Sequence, residues 1–475
     1  MPITERLFEI FKEISKVPRG SENMTAIANF CVEFAEKNSL KYIKDEYNNI
    51  IIFKDGTSEL KNSEPVILQG HLDMVCQQTP DSTHNFEISG PQVIVDGDYL
   101  RANNTTLGAD NGIAVAMIMA ILESNDLQHP PIEAVFTTDE EIGMIGATAL
   151  DTTPLKSKRM INLDSEEDDT VTVSCAGGSE FKISVPVNRT VKNGTLVTIT
   201  LKGLKGGHSG VEIDKGRVNA NILAGRILNH LNISNNFDIF SINGGDKSNA
   251  ITPICVIQLV TEDSDSFIDY ANEYLNIIKK EISAREPDFS PTIEIGEIGE
   301  YATIGEDFTN KLIYFLLNAP NGIVEMSSEI NGLVETSLNL GVLKTLDDKI
   351  IANFSLRSNK VTALNFLEEK LTTFINCIGG SIETFGHYPP WEFKPNSKLQ
   401  SLYTEMYKVF YKKEPKVEAI HAGLECGVFS SKIPNLDCIA IGPTMFDVHT
   451  VNERLSISST KEFFKLLIKV LEKMD

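Results

Sequence analysis

The sequence has few basic residues. Lys and Arg number 43 against 66 Asp and Glu, so the 475-residue chain carries a formal net charge of -23 at pH 7. Nucleic acids and anionic membrane surfaces bind basic protein surfaces, and this charge balance argues against both as partners. The excess of acidic side chains by itself says little more, since such residues mostly maintain solubility.

Long apolar runs and paired cysteines are also lacking. No stretch approaches the roughly 20 apolar residues of a membrane-spanning helix. The opening segment MPITERLFEIFKEIS combines apolar residues at helical spacing with Glu5, Glu9 and Glu13, which predicts an amphipathic helix and not a signal peptide. The seven cysteines are scattered and form no C-x-x-C pair, which indicates a reducing compartment. We therefore expect a cytoplasmic protein.

The composition and length predict a globular protein of two or more domains. In the first third, short apolar strands alternate with helices, which is typical of an α/β sheet with helices on both faces. The predicted elements there are strands at 64–70, 132–136 and 159–164 and a buried helix at 110–124. Near the C-terminus a strand is predicted at 438–442, followed by a helix that Ser459 and Glu462 open as a capping box.

The middle of the chain has a different pattern. From about Gly178 to His387, segments such as LVTITLKG and PTIEIGEIG alternate in period two between helical stretches, which indicates an α+β composition. The stretch YPPWEFKPNS at 388–397 is rich in proline and polar residues, as linkers are. We therefore predict a discontinuous α/β domain made of residues 1–177 and 388–475, with residues 178–387 as an inserted α+β domain.

An acidic cluster follows one of the predicted strands. In TTDEEIG the carboxylates of Asp139, Glu140 and Glu141 come directly after the apolar run 132–136. A solvated turn is the ordinary explanation of such a cluster. A bound cation is the alternative, and it requires further ligands elsewhere in the chain.

Candidate ligands occur at similar places in four other segments. They are His71 in GHLDMV, Asp110 in TLGADNG, Asp164 in INLDSEE and His449 in DVHTVNERL. Each alone is more often a cap or a hydrogen-bonded structural residue. Together with Glu141, however, five strand ends would gather two imidazoles and three carboxylates at the carboxyl edge of the sheet. This ligand set suits zinc, or cobalt or manganese in its place, and is sufficient for two ions if one carboxylate bridges them.

Seven motifs, in order over nearly the whole chain, give the sequence a family resemblance. They are HLDMV, TLGADNG, TTDEEIG, INLDSEE, LKGGHSG, GGDKSNAI and HAGLECG. In these motifs the chain resembles the co-catalytic di-zinc metallopeptidases, and specifically their aminoacyl-histidine dipeptidase branch. At the last ligand the family usually has His-Ser-Pro-Asp-Glu. This chain keeps His449 and Glu453 but has Thr-Val-Asn between them, so the local loop differs.

The resemblance implies a catalytic domain of mixed sheet flanked by helices, with the inserted domain as a lid. It implies two Zn²⁺ per chain, with Co²⁺ or Mn²⁺ as substitutes. One ion would be held by His71 and Asp164 and the other by Glu141 and His449. Asp110 would bridge the two ions and be followed by a cis peptide bond.

The neighbours of these ligands have implied roles as well. Asp73 would hold the imidazole of His71, since residues two apart in an extended chain point the same way. Adjacent residues point to opposite sides, so Glu140 and Glu141 are not expected to bind one ion together. Glu140 would instead act as the general base that takes a proton from water and delivers it to the leaving amine. Asp139 is expected to be a solvated or capping neighbour.

Other motifs have implied contacts with a substrate. His208 in LKGGHSG would be an oxyanion donor from the lid. Asn249 and Arg357 would bind the substrate backbone and its C-terminal carboxylate, which a guanidinium fork matches well. Gly423 and Leu424 in HAGLECG would offer backbone contacts.

The implied function is hydrolysis of Xaa-His dipeptides, including carnosine-like β-alanyl-histidine, and the expected partner is a dipeptide substrate. A related di-zinc deacylase, carboxypeptidase or tripeptidase stays open as an alternative. An inactive peptide-binding protein on the same fold also stays open, although the intact Glu140 argues against it. In HAGLECG, Glu425 and Cys426 are not expected to be catalytic, since a small thiol near a buried strand usually packs. Side-chain preference, native metal and oligomeric state, a homodimer included, stay open.

Overall fold

A computed structural model of the protein describes all residues, Met1–Asp475. The chain forms two compact units. Unit 1 contains Met1–Cys175, Trp391–Ala419 and Leu424–Asp475, and unit 2 contains Ala176–Pro390 and Ile420–Gly423. The first part of unit 1 thus ends at 175 and resumes at 391, against the predicted 177 and 388. That the short segment 420–423 belongs to unit 2 is not predicted by the sequence.

The helices are short to medium in length, and none is long and apolar enough to cross a membrane. They are α1 Ile3–Ile14, α2 Thr25–Lys37, α3 Ala109–Glu123, α4 Ile145–Ala149, α5 Ala220–Asn232, α6 Ser264–Ile282, α7 Glu306–Asn318, α8 Val361–Ile378, α9 Lys398–Tyr411, α10 Glu425–Lys432 and α11 Ile457–Leu471.

The strands fall into two large and two small sheets. They are β1 Lys41–Lys44, β2 Ile50–Lys54, β3 Val66–His71, β4 Val93–Asp96, β5 Tyr99–Ala102, β6 Ile132–Thr137, β7 Arg159–Asn162, β8 Thr170–Cys175, β9 Gly177–Pro186, β10 Thr190–Leu201, β11 Gly207–His208, β12 Phe237–Gly244, β13 Ala250–Ile251, β14 Cys255–Thr261, β15 Thr292–Thr303, β16 Gly322–Met326, β17 Val334–Thr345, β18 Lys349–Ser358, β19 Ser381–Tyr388, β20 Lys416–Ile420, β21 Asp437–Ala440, β22 Met445–Phe446 and β23 Arg454–Ser456.

Unit 1 is built on a mixed eight-stranded sheet in the order β1-β2-β6-β3-β7-β21-β8-β20. Its central strands β6, β3, β7 and β21 are parallel to their neighbours in this group. Every residue of β3 and β6 is buried, and α3 is buried along almost its whole length, which explains their near-continuous apolar sequences. The predicted α/β class is confirmed. Because parallel strands end at one edge of a sheet, the loops after β3, β6 and β7 emerge together.

The start of α11 differs from the prediction. The helix begins at Ile457 and is capped by Ser456, whose side chain accepts the backbone N–H of Ser459 at 3.2 Å. The predicted capping box at Ser459 is therefore wrong. The Ser459 hydroxyl instead accepts the N–H of Thr444 at 2.8 Å and donates to Asp168 at 2.6 Å. Ser456 ends β23 in an extended conformation, which already places its hydroxyl over the first turn.

Unit 2 is built on an antiparallel nine-stranded sheet with helices α5 to α8. The strand order is β15-β10-β14-β12-β17-β18-β9-β19, and β16 pairs with β17. Buried and less buried residues alternate along β9 and β10, as expected for strands with one face toward a core. Apolar residues of the sheet and of all four helices form one hydrophobic cluster. The predicted α+β composition of this part of the chain is confirmed.

Candidate metal centre

The candidate ligands lie at strand ends, at the start of a helix and in a connection between two short strands of unit 1. His71 is the last residue of β3, Asp164 follows the end of β7, and Glu141 lies in the turn after β6. The expectation that strand ends of one sheet supply all five ligands is wrong for the other two. Asp110 lies in the first turn of α3, and His449 lies in the connection between β22 and β23, strands of a small four-stranded sheet.

The five side chains nevertheless meet. His71 Nε2 lies 3.1 Å from Asp110 Oδ1 and 3.7 Å from Asp164 Oδ1. His449 Nε2 lies 3.0 Å from Asp110 Oδ2 and 2.9 Å from Glu141 Oε1. Asp110 therefore lies between the two imidazoles, with one oxygen toward each. Asp164 accompanies the first imidazole and Glu141 the second.

The donor set fits divalent cations. Ligand atoms of His71, Asp110 and Glu141 all lie within 4.8 Å of one another. Glu141 Oε1 is buried and has no partner with hydrogen-bond geometry, although His449 Nε2 is close by. Buried carboxylates this close together repel one another unless positive charge lies between them. Two imidazoles and three carboxylates, one of which lies between the imidazoles, are the types of donor that two divalent cations use.

The pKa values of the candidate ligands are shifted by burial and by their closeness to one another. Burial, followed by the nearby carboxylates of Asp110 and Glu140, raises the pKa of Asp164 well above its usual range. Burial also opposes ionisation of Asp110, but its contacts with His449 and His71 outweigh this and lower its pKa. The contacts of its ring with the carboxylates of Asp110 and Glu141 raise the pKa of His449 to about 11.

Asp73 connects the first imidazole to the acidic turn. Its Oδ1 lies 3.3 Å from His71 Nδ1. The same carboxylate accepts the backbone N–H groups of Glu140 at 3.0 Å and Glu141 at 3.2 Å, and the hydroxyl of Ser21 at 2.8 Å. The contact with His71 is the one that the resemblance implies. The contacts with the backbone of the turn, which fix the positions of the Glu140 and Glu141 main chain, are not predicted by the sequence.

The acidic turn places its three carboxylates in different surroundings. The carboxyl group of Glu140 is buried near those of Glu425 and Glu141, and burial followed by these charges raises its pKa to about 8. Asp139 is half-buried, and its side chain accepts the backbone N–H of Glu22 at 2.6 Å. Asp139 therefore has a local structural partner, while Glu140 faces the ligand cluster.

Glu425 is a second buried acid beside the cluster. It accepts hydrogen bonds from Gln69 on β3 and from Thr137 on β6, the latter at 2.7 Å. Burial raises its pKa to about 7. No contact ties its carboxylate directly to a candidate ligand, so it contributes to the field around the site. Cys426 is fully buried and packs near Cys438, as expected.

The side chain of Asn111 helps to fix the backbone beside Asp110. The peptide bond between Asp110 and Asn111 is cis, which confirms that expectation. The side chain of Asn111 accepts the backbone N–H of His71 at 3.2 Å and donates to the carbonyl of Leu163 at 2.9 Å. Leu163 directly precedes Asp164. One amide therefore connects the backbone next to three candidate ligands.

Within unit 2, His208 is oriented by its own loop. Its Nδ1 accepts the backbone N–H groups of Gly210 and Val211, both at 3.1 Å. Because Nδ1 accepts these N–H groups, it carries no proton, and burial and the charge of Arg357 lower the pKa of the ring. A neutral imidazole that accepts at Nδ1 carries its proton at Nε2. Asn249, immediately before β13, accepts the N–H of Ser209 on its backbone carbonyl at 2.9 Å, in the same loop region.

Arg357 on β18 is buried in the same part of unit 2. Its Nη1 donates to the hydroxyl of Tyr388 at 2.9 Å, and its Nε has no hydrogen-bond partner. A Cβ atom at Gly210 would meet Arg357 Nε at 3.1 Å and His208 Cε1 at 3.0 Å. The glycine is what allows these two side chains to approach its backbone. Leu424 lies in unit 1 and Gly423 in unit 2.

His421 is a further residue of this cluster that the sequence does not single out. Its Nε2 lies 2.7 Å from Ser337 Oγ and its Nδ1 3.3 Å from Asn359 Oδ1. Burial and the charge of Arg357 lower its pKa to about 3. Its place in HAGLECG is the only signal that the sequence contains for it.

Comparison with known proteins decides the family. The family described as "Peptidase family M20/M25/M40" matches residues 67–473. The chain belongs to this family. It is a metallopeptidase, as the motifs predict.

Two relatives of this M20 peptidase match over nearly their whole length. The cytosol non-specific dipeptidase of Escherichia coli (strain K12) is 34% identical over 473 residues, which are 98% of this chain and 97% of that protein. The crystal structure of aminoacylhistidine dipeptidase from Vibrio alginolyticus matches with a TM-score of 0.93 and 33% identity, over 99% of this chain and 96% of that chain. The predicted resemblance to this branch is confirmed.

A third match shows the fold alone. Aminopeptidase PepT from Bacillus cereus ATCC 10987 matches with a TM-score of 0.57 and 15% identity, over 99% of this chain and 98% of that chain. The architecture of this M20 peptidase is therefore shared with peptidases that have little sequence in common with it.

Proposed function

We propose that this protein is a dipeptidase that hydrolyses Xaa-His and related dipeptides with water activated by two divalent cations. The observation that carries the proposal is the placement of Asp110 between His71 and His449, each with a second carboxylate beside it. The printed names of the two full-length relatives, a non-specific dipeptidase and an aminoacylhistidine dipeptidase, support a dipeptide as the substrate.

The five ligands divide into two sets in this proposal. His71 and Asp164 would hold one ion, Glu141 and His449 would hold the other, and Asp110 would serve both. Asp73 keeps the imidazole of the first set in orientation. Ions held there would polarise the scissile carbonyl and lower the pKa of water. The mixed nitrogen and oxygen donors favour Zn²⁺, with Co²⁺ or Mn²⁺ as substitutes.

Glu140 is the proposed general base. Its carboxyl group is buried beside the ligands without being the partner of either imidazole, unlike Glu141. A carboxyl whose pKa lies near the working pH accepts and returns a proton effectively. Glu140 would take the proton of the attacking water and deliver it to the amine of the leaving residue.

Residues of unit 2 are proposed to bind the substrate as a lid. His208 would donate from Nε2 to the carbonyl oxygen on which charge develops, which its neutral tautomer supports. The buried Nε of Arg357 lacks a partner and suits the C-terminal carboxylate of a dipeptide. Asn249 and the backbone of Gly423 and Leu424 would contact the substrate backbone. A cytoplasmic location is proposed with the name of the Escherichia coli relative as support.

The test is metal analysis followed by a substrate panel. Purified protein loaded with zinc, cobalt or manganese would be assayed with β-alanyl-histidine, other dipeptides, a tripeptide and an N-acetyl amino acid. We expect two bound ions and cleavage of dipeptides, Xaa-His dipeptides among them. Cleavage of the acetyl amino acid in preference to every dipeptide would overturn the dipeptidase proposal in favour of a deacylase. Two bound ions without turnover of any substrate would favour a binding protein.

A further inference from the structure

A single buried carboxylate holds the segment that leads to the bridging aspartate. We call residues 107–110 the bridge segment. Glu453 is 2% exposed. Its Oε2 accepts the backbone N–H groups of Leu107 at 2.7 Å and Gly108 at 2.9 Å, and its Oε1 accepts those of Ala109 at 2.8 Å and Asp110 at 3.3 Å. Four consecutive N–H groups thus point at one side chain.

A buried guanidinium holds the bridge segment from its carbonyl side. Arg19 is 1% exposed, and its Nη2 donates to the carbonyl of Gly108. Its Nη1 donates to the carbonyls of Leu72 at 3.0 Å and Asp73 at 3.1 Å. Leu72 directly follows His71, so one side chain connects the chain after the first imidazole with the bridge segment.

The backbone of the bridge segment is shaped for this arrangement. Gly108 has φ +69, in the left-handed region where a side chain is disfavoured. A Cβ atom at Gly108 or at Gly112 would collide with Arg19 Nη2. Both glycines therefore leave the space that the guanidinium occupies.

Arg19 and Glu453 have opposite charges but form no direct ion pair with each other. Each instead forms hydrogen bonds with the backbone between them. Arg19 donates to carbonyl groups, and Glu453 accepts from N–H groups. Burying a charge is costly unless hydrogen bonds replace its hydration, and here three and four backbone partners do so.

We propose that Arg19 and Glu453 are positioning residues that preorganise the metal ligands. This inference rests on the proposed di-metal function. The two side chains hold the segments that carry His71 and Asp110, and Glu453 follows His449 within the same loop. Without these contacts the side chains of His71, Asp110 and His449 would be free to move apart. Arg19 and Glu453 thereby keep them close enough to bind metal ions together. Residues behind metal ligands commonly change metal affinity by about 10- to 100-fold when mutated.

The variant Glu453→Gln tests the inference. It keeps the size of the side chain, but its NH₂ group faces backbone N–H donors where an oxygen stood. We expect the affinity of the metal-free protein for Zn²⁺ and Co²⁺, measured against a chromophoric chelator, to fall by about 10- to 100-fold for at least one ion. Arg19→Met is expected to act in the same direction, and Arg19→Lys, which keeps a charge and three donors, is expected to retain more affinity.

Glu133→Gln is the matched control. Glu133 is also a buried acid of unit 1, 4% exposed, and its carboxylate accepts the backbone N–H groups of Lys156 at 2.8 Å and Ser157 at 3.1 Å. It holds no segment that carries a candidate ligand. We expect this control to lower the free energy of unfolding, measured with urea on metal-free protein, while its metal affinity stays at the wild-type value.

The outcomes separate a positioning role from general stabilisation. Equal losses of affinity in Glu453→Gln and Glu133→Gln, or wild-type affinity in Glu453→Gln, would overturn the inference. If Glu453→Gln does not fold, equal affinities of Arg19→Lys and Arg19→Met would overturn it. Failure of the wild-type protein to bind two ions would instead count against the proposed function, so the two failures are distinguishable.

Discussion

Glu140 and Glu141 are neighbours in sequence but have different surroundings. Asp73 accepts the backbone N–H groups of both. The carboxylate of Glu141 then reaches His449 at 2.9 Å, whereas that of Glu140 stays among other acids such as Glu425. In the proposed mechanism Glu141 is therefore a metal ligand and Glu140 is the general base.

Glu140→Gln is expected to separate these roles. The variant keeps the shape of the side chain and removes its ability to take a proton, so kcat should fall by about 100- to 10,000-fold. Elemental analysis should still find two ions per chain. Asp139→Asn is the control, because this neighbour only accepts the N–H of Glu22, and its turnover should stay near the wild-type value. A near wild-type rate in Glu140→Gln would refute the assignment.

The candidate ligands and Asp73 could be named from the sequence, whereas the backbone contacts of Arg19 and Glu453 could not. His71 and Asp164 stand beside apolar strands, and their residue types are those that metals prefer. Arg19 and Glu453 act on backbone N–H and carbonyl groups, which every residue has. No pattern of residue types therefore marks their partners, and Glu453 is more than three hundred positions from the bridge segment.

At the scale of elements, apolar runs predict strands well where both faces are buried. The sequence predicts β3, β6 and β7, because a strand covered on both sides favours a largely apolar sequence. It does not predict the start of α11, because β23 leads into it without a loop. Ser456 and Ser459 are both good capping residues, and only the path of the backbone decides between them.

Ser456→Ala is expected to lower the free energy of unfolding by about 1 kcal/mol, since it removes the cap of α11. Urea denaturation measures this directly. Ser401→Ala is the control, because its hydroxyl donates to the carbonyl of Ser397 within α9 and caps no N–H group. A smaller loss in Ser456→Ala than in Ser401→Ala would show that the cap contributes little.

At the scale of the whole molecule, metal binding and folding are linked. Ions that bind only the native state stabilise it by about 2.7 kcal/mol at a free concentration 100 times Kd. Chelation should therefore lower the Tm of the wild-type protein in calorimetry. Asp110→Ala should lose both ions and have the same Tm with and without chelator, because Asp110 touches both imidazoles.

Asp151→Ala serves as the control for that experiment. Asp151 is an exposed acid of unit 1 that bonds only Thr153 nearby, so this variant should keep two ions and a Tm that responds to chelator. Retention of two ions by Asp110→Ala would contradict a shared ligand.

The strand order also determines at which point of its synthesis the chain can form the candidate metal centre. β21 lies between β7 and β8 in the sheet, yet the ribosome makes it only after all of unit 2. The segment 420–423, with His421, likewise reaches unit 2 late. His449 and Glu453 are made later still. A nascent chain therefore cannot assemble the second proposed metal set before His449 has been made, and we expect chains that end before His449 to have no peptidase activity.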